Sequence, residues 1–230
     1  MARSALKDKV LGYFDACYLI NLDRRTDRLK ESAQELAMVG IRFERFSAVE
    51  PTTEQYPGRI NLDLGRIGCG LSHKAVIQKA KDSRAESVLI FEDDILLAPD
   101  FKESVDGVID DLKCQVWDIF YLYCENVPRK DLTDHLFVIA GQYFTHAYAV
   151  HCRFYDRFLE EYLPLRDQVV DMVDGFLPRV NAIKVASKKY LAAQREGFSD
   201  IESRFLRRES PLVPRLENIP VYKPFKKFGM

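Results

Sequence analysis

Three consecutive acids, Glu92, Asp93 and Asp94, follow directly on the apolar run Ser87-Val88-Leu89-Ile90-Phe91 and precede Ile95-Leu96-Leu97. A run rich in β-branched and large apolar side chains suits a buried parallel strand. Three adjacent carboxylates cannot all be buried without partners, because unpaired buried charge is strongly destabilising. They are therefore expected at the strand's carboxyl end, where open α/β sheets bind their ligands. A carboxylate cluster there can hold a divalent cation against a phosphate group. An acidic turn that simply faces water is the plain alternative.

Other residues could share that edge. Asn21, Asp23 and Arg28 end the apolar strand candidate Ala16–Leu22 and begin a helix. In a doubly wound sheet this turn abuts a nucleotide. Asn21 and Asp23 offer hydrogen bonds to base or ribose edges, and Arg28 offers a partner for phosphate. The same residues would also serve as an ordinary helix start with solvated arginines. Ser47-Ala48-Val49, at the end of the next strand, is small enough for a nucleoside to lie against its backbone, or is a simple strand terminus. His73 and Lys74 follow a glycine-rich turn and begin a helix. Lys74 could reach a pyrophosphate there, since helix N-terminal amides favour anions; otherwise it is an exposed helix lysine. His73 reads as a buried structural residue. His146 lies in a strand-like run with Ala147, Tyr148 and Ala149 and faces either an acceptor or the backbone. Asp171 and Asp174 precede an apolar segment and can each take a hydroxyl proton or cap a helix.

The elements that must position these residues are partly legible. Leu29, Ala33, Leu36 and Ala37 mark one helix face, with Thr26 as its cap and Gly40 as its end. Ile41 to Val49 supplies a second strand, which makes a strand–helix–strand unit of a parallel sheet. A loop holding Pro51, Pro57 and Gly58 leads to a helix over Leu71–Asp82. The clearest helix is Asp100–Leu112, with Phe101, Ser104, Val105, Val108, Ile109 and Leu112 on one face. Strands are expected at Trp117–Tyr123, Leu136–Ala140 and His146–Cys152, and a helix at Arg153–Tyr162. From Ser203 the chain holds four of its ten prolines and seven Lys or Arg against two Glu, a local charge of +5. This division gives a domain at 1–202 and a basic tail at 203–230, which either packs on the domain or, through its charge, contacts an anionic membrane surface.

Composition narrows the class. With 47% hydrophobic residues in 230, the chain can bury a sizeable core. A net charge of −1 gives no basic character for nucleic acid. Cys17, Cys69, Cys114, Cys124 and Cys152 form no CxxC pair and no zinc-type spacing, which fits free thiols in a reducing compartment. No stretch approaches the roughly 20 apolar residues that span a bilayer. Met1–Val10 lacks the apolar centre of a secretory signal, so a cytoplasmic location is expected.

Four blocks carry a resemblance. Tyr18-Leu19-Ile20-Asn21-Leu22-Asp23-Arg24-Arg25-Thr26-Asp27-Arg28 resembles the N-terminal signature of glycosyltransferase family 25, which includes bacterial lipooligosaccharide and procollagen galactosyltransferases. Ile67-Gly68-Cys69-Gly70-Leu71-Ser72-His73 resembles its second block, Phe91-Glu92-Asp93-Asp94 its acidic motif and Thr145-His146-Ala147-Tyr148 a fourth. Order and spacing match over roughly residues 16–200. Gln194, Ser199 and Asp200 resemble a late block that closes over a metal or diphosphate. Two departures stand out: Gly65-Arg66 where the family has Gly-Glu, and Phe144 where it has Gly.

The resemblance implies an α/β, GT-A type nucleotide-sugar fold with a mostly parallel central sheet flanked by helices. It implies an inverting hexosyltransferase moving galactose from UDP-galactose to a saccharide or hydroxylated acceptor, as in lipopolysaccharide biosynthesis. Asp94 would bind Mn²⁺ or Mg²⁺, with Glu92 and Asp93 on the ribose or sugar. Asp174 would be the base and Asp171 its reserve. A nucleotidyltransferase acting on sugar phosphates is a rival, though no Gly-rich basic loop follows the first strand. A metal-dependent glycoside hydrolase would need no nucleotide site. A catalytically inactive relative that binds nucleotide sugar or a partner is the third alternative.

Overall fold

The structure is a computed structural model and describes residues 12–125, 127–166, 169–201 and 204–206. It opens with the expected strand–helix–strand unit: β1 (Ala16–Asn21), α1 (Thr26–Met38) and β2 (Glu44–Ser47), with β1 and β2 parallel. Arg25 rather than Thr26 takes the capping position of α1 and makes no side-chain capping bond. The other end closes at Gly40, where φ is 81°. Gly40 N–H donates to the Ala37 carbonyl and Ile41 N–H to that of Leu36. These paired bonds satisfy the last carbonyls of the helix, in a left-handed conformation that glycine adopts without strain.

The next helix is longer than the sequence suggests. α2 spans Asn61–Asp82, so Gly68 and Gly70 lie inside it and not in a turn before it. Each glycine costs a helix about 1 kcal/mol relative to alanine, and close packing accounts for both. A Cβ on Gly68 would collide with the Val49 carbonyl and stand 2.7 Å from Pro51 Cδ, and one on Gly70 would strike the Tyr162 hydroxyl.

The chain continues through β3 (Ser87–Glu92), β4 (Ile95–Leu97), α3 (Phe101–Lys113), β5 (Ile119–Tyr121), β6 (Arg129–Asp131), β7 (Leu136–Ile139) and β8 (Ala147–His151). There follow α4 (Tyr155–Glu161), β9 (Leu165–Arg166), β10 (Val169–Val170), α5 (Val173–Arg179), β11 (Lys184–Ser187), β12 (Ala192–Gln194), β13 (Gly197–Ser199) and β14 (Arg204–Leu206). β14 pairs with β13, so the first residues past the expected domain boundary at 202 join a hairpin. The rest of the basic tail lies outside the described residues.

Eight strands form the central sheet in the order β2-β1-β3-β8-β5-β11-β7-β6. Alternation along the strands divides the interior into two cores. Leu19, Leu89, Phe91, Phe120 and Val185 pack with Leu36 of α1 and Phe101 and Val108 of α3. Tyr18, Val88, Ile90, Ile119, Tyr121 and Ala186 pack with Val76 and Ile77 of α2, Phe158 of α4 and Leu177 of α5. The α/β class, with a large central sheet flanked by helices, is thus as expected.

The expected strand direction needs correction, because the sheet is mixed. β1 runs parallel to β2 and β3, and β5 to β11, while the other four pairings are antiparallel. β8 enters between β3 and β5, antiparallel to both. This direction matters for the site: Ala147 pairs with Phe91, so the residues just before β8 arrive beside the carboxyl end of β3. Similarly β12 pairs antiparallel with β4 and brings Gln194 beside Ile95. The buried ammonium of Lys184 donates to the carbonyls of Ala140, Pro178 and Val180, which ties the C-terminal end of α5 to the sheet. Among the described residues no helix is long and apolar enough to cross a membrane.

Candidate active site

A cavity of about 490 Å³ opens at the carboxyl edge of β1 and β3. Its wall comes from the turn after β1, the end of β2, one side of α2, the acids after β3, the approach to β8, the first turn of α5 and the segment from β12 past β13. Asn21, Arg28, Ala48, Glu92, Asp93, Asp94 and Asp174 all line it, as do Gln194, Ser199 and Asp200 of the late block.

The acids divide between two helices because successive residues leave a strand on opposite faces. Glu92 turns toward α2. Its carboxylate accepts from the Thr145 hydroxyl at 2.5 Å and lies 3.3 Å from His73 Nε2, while its N–H donates to the His146 carbonyl at 3.0 Å. Burial opposes its charge, but His73 and Thr145 outweigh burial and hold the carboxyl below the usual range. Asp93 turns toward α1. It accepts from Asn21 Nδ2 at 2.7 Å and from Arg28 Nη1 at 2.9 Å, and its carbonyl accepts from the Ser32 hydroxyl at 2.8 Å. Here burial prevails over these partners and raises the carboxyl's pKa. Asp94 stands 3.8 Å from Arg28 Nη1, and its carbonyl accepts from Arg195 N–H at 2.6 Å.

Asp174 sits in the first turn of α5, across the cavity wall from the acids. Burial first, then the charge of Glu92, raises its pKa. Asp171 is elsewhere: it is paired with Arg179 at 2.6 Å and does not line the cavity.

Four residues expected at the site are placed off its wall. Asp23 is exposed and bonded to Arg45 and Ser47, which accounts for both Asp23 and Ser47. Lys74 is mid-helix and donates to the Tyr162 carbonyl at 2.8 Å, so no helix terminus faces a phosphate there. His146 is buried behind Glu92 and stacked on Tyr123 with ring centroids 4.1 Å apart. Asn21 does reach the wall, but its amide hydrogens are taken by the Arg25 carbonyl and Asp93, and Arg45 donates to its side-chain oxygen. Its side chain clamps the turn.

The helical glycine block makes physical sense residue by residue. Gly68 lets α2 touch the Val49–Pro51 loop. Ser72 Oγ donates to the Gly68 carbonyl at 2.7 Å and accepts from Val49 N–H at 2.8 Å, pinning that loop. Cys69 faces the cavity. Burial, then the charges of Glu92, Asp174 and Asp94, push its thiol well above its ordinary value. His73 Nδ1 lies 2.9 Å from the Tyr148 hydroxyl. Sequence reasoning missed Cys69, Arg24 and Arg195 as wall residues. Only the four-residue interval between Cys69 and His73 was a usable signal, and the glycines hid the helix that gives it meaning.

Gly68→Ala tests this packing. Alanine gains about 1 kcal/mol of helix propensity, but the methyl group meets a backbone carbonyl, and such overpacking costs about 1–3 kcal/mol. We expect a lower melting temperature and a displaced Val49–Pro51 wall; an unchanged melting curve would show that this contact yields freely.

Phe144 also lines the cavity, with a φ of 67°. A bulky residue in the left-handed region is uncommon. The position where the family resemblance calls for glycine is thus one where the backbone does require glycine-like geometry, and Phe144 adopts it with its side chain partly buried against the core on the α2 side of the sheet.

Comparisons agree with this geometry. Residues 14–131, just over half of the chain, match the sequence model described as "Glycosyltransferase family 25 (LPS biosynthesis protein)". A "Glycosyltransferase 25 family member" of Aedes aegypti is 30% identical over 184 residues, covering 70% of this chain and 30% of that protein. "Inactive glycosyltransferase 25 family member 3" of Homo sapiens is 28% identical, covering 72% and 31%. "Procollagen galactosyltransferase 2" of Mus musculus is 28% identical, covering 51% and 22%. The chain therefore spans less than a third of the length of these relatives. Among solved structures, A197 from STIV superposes with a TM-score of 0.44 at 13% identity over 86% of this chain and 95% of that one, too distant to bear on the assignment. With the match running from before β1 through β6, and with the acidic and glycine blocks meeting at one cavity, the chain belongs to glycosyltransferase family 25.

Proposed function

We propose that this cavity transfers a hexose, galactose from UDP-galactose, to a hydroxyl of a saccharide or other hydroxylated acceptor with inversion. One observation carries the reading: Arg28, Glu92, Asp93, Asp94 and Asp174, from elements far apart in sequence, line a single cavity at the carboxyl edge of a parallel strand pair. Galactose as the sugar is suggested by relatives named procollagen galactosyltransferase. The same strand edge supports a GT-A type reading of the fold.

Glycosyl transfer needs a charge-neutralised diphosphate leaving group and an acceptor hydroxyl that loses its proton. Arg28 already offsets the acids and can turn part of its charge to phosphate. Asp94 offers hard oxygen donors on the cavity wall, and one or two carboxylates with phosphate oxygens is the usual share of protein in a Mg²⁺ or Mn²⁺ site. Such an ion, when bound, would supply charge neutralisation at the diphosphate. Of the three remaining carboxylates, Asp93 is taken up by Asn21 and Arg28, and Asp174 suits proton uptake better than Glu92. Its pKa is raised, whereas Glu92 is held low by His73 and Thr145.

A thermal-shift screen of nucleotide sugars with and without Mn²⁺ tests the reading. A ligand bound only by the folded state adds about 2.7 kcal/mol of stability at a hundredfold excess over its dissociation constant. UDP-hexoses are expected to shift the transition, more so with Mn²⁺. A shift by nucleoside triphosphate with sugar phosphate alone would favour a nucleotidyltransferase. No shift and no donor hydrolysis would point to an inactive relative.

A further inference from the structure

Cys69, His73 and Glu92 form a second constellation on the cavity wall, one that does not include Asp94. Cys69 and His73 are four residues apart on α2 and so project from one face. Glu92 meets them from the end of β3. The thiol sulfur, an imidazole nitrogen and a carboxylate oxygen all lie within 4.8 Å of one another. The separation of His73 Nε2 from Glu92 Oε1 is 3.3 Å. That is the ligand-to-ligand spacing of a tetrahedral site with metal bonds of about 2.0–2.1 Å.

Two neighbours orient the donors. The Tyr148 hydroxyl occupies His73 Nδ1 at 2.9 Å and so directs Nε2 toward the cluster, and the Thr145 hydroxyl holds Glu92 Oε1 at 2.5 Å. Metal-bound imidazoles and carboxylates characteristically carry such supports. All three side chains line the cavity, so an ion has a route in from solvent.

We infer that Cys69, His73 and Glu92 form a three-ligand site for Zn²⁺, with the fourth position open to the cavity. The mixed sulfur, nitrogen and oxygen set suits zinc and not Mg²⁺ or Mn²⁺, which prefer oxygen. On binding, the Cys69 thiol gives its proton to solvent, and thiolate and carboxylate together balance the ion's two charges. Cysteine spacing conceals the site because its third ligand comes from a different element. The site needs no nucleotide, so its test is separate from that of glycosyl transfer.

The metal-free full chain is titrated with Zn²⁺ by calorimetry and with Co²⁺ by absorbance. The expected result is one equivalent bound, with a thiolate-to-cobalt charge-transfer band and tetrahedral d–d bands. Tyr148→Phe keeps all three ligands and is expected to weaken Zn²⁺ binding about 10- to 100-fold. Cys69→Ser weakens it further and removes the sulfur band. Cys152→Ser, which disrupts the exposed His151–Cys152 pair 3.5 Å apart, leaves the titration as in wild type. The inference is overturned by no saturable Zn²⁺ binding to the folded wild type, by a Co²⁺ complex without a sulfur band, or by unaltered binding in Cys69→Ser. The wild-type Co²⁺ spectrum decides even if a variant fails to fold.

Discussion

Asp174→Asn is expected to lower the turnover of transfer by about 10²- to 10⁴-fold, the usual contribution of a positioned base, while leaving donor affinity nearly unchanged. Asparagine keeps the size of the side chain in the first turn of α5 and removes only its capacity to take a proton. Burial and the Glu92 charge shift the acid limb of the wild-type rate profile upward from that of an ordinary aspartate, and that limb should vanish in the variant. Stability should respond in the opposite sense to activity. Because burial and Glu92 raise the folded-state pKa, the native protein holds this proton more tightly than the unfolded chain does. Its contribution to stability is therefore full at low pH and is lost as pH rises through the folded value. At neutral pH the ionised carboxylate destabilises the fold, so Asp174→Asn should melt no lower than wild type. Asp171→Asn is the control, since Asp171 pairs with Arg179 away from the cavity. Full transfer by Asp174→Asn, with collapse in Asp171→Asn, would move the role to Asp171.

Asp94→Asn should abolish transfer and remove any Mn²⁺ dependence from UDP binding. The backbone bond from Arg195 to the Asp94 carbonyl is untouched, and replacing a partly exposed acid by its amide creates no cavity. A wild-type melting curve with no transfer would therefore isolate the ligand role from the fold. Arg28 loses one of its two acidic neighbours in this variant, so UDP affinity without metal could even rise, an outcome that calorimetry reads directly. If chelation with EDTA leaves the wild-type rate unchanged, Asp94 does not act through a metal, and the mechanism needs a different counter-charge, with Arg28 nearest.

The parts of the fold that sequence made legible are those with strong local periodicity. β3 reads as a buried strand because the four apolar residues Val88 to Phe91 end abruptly in charge, and α3 reads as a helix because its apolar face repeats without interruption. α2 did not, because Gly68 and Gly70 look like a turn until their neighbours across the structure are known. That boundary error carried Lys74 to a helix terminus it does not occupy. Strand direction was illegible for a different reason: alternation is the same whichever way a strand runs, so nothing in His146–Cys152 announces that β8 is reversed. Asp93 and Asn21 show a further limit. Both were placed at the right edge, but a polar side chain at a ligand edge can equally be consumed by its neighbours, as the Asn21–Asp93–Arg28 bonds are.

The alternation that sends Glu92 to α2 and Asp93 to α1 also fixes how this stretch can change over time. A substitution within β3 alters one contact. An insertion or deletion of one residue would exchange the two cores along the whole strand and hand each acid to the wrong helix. Length is therefore constrained more strictly here than identity.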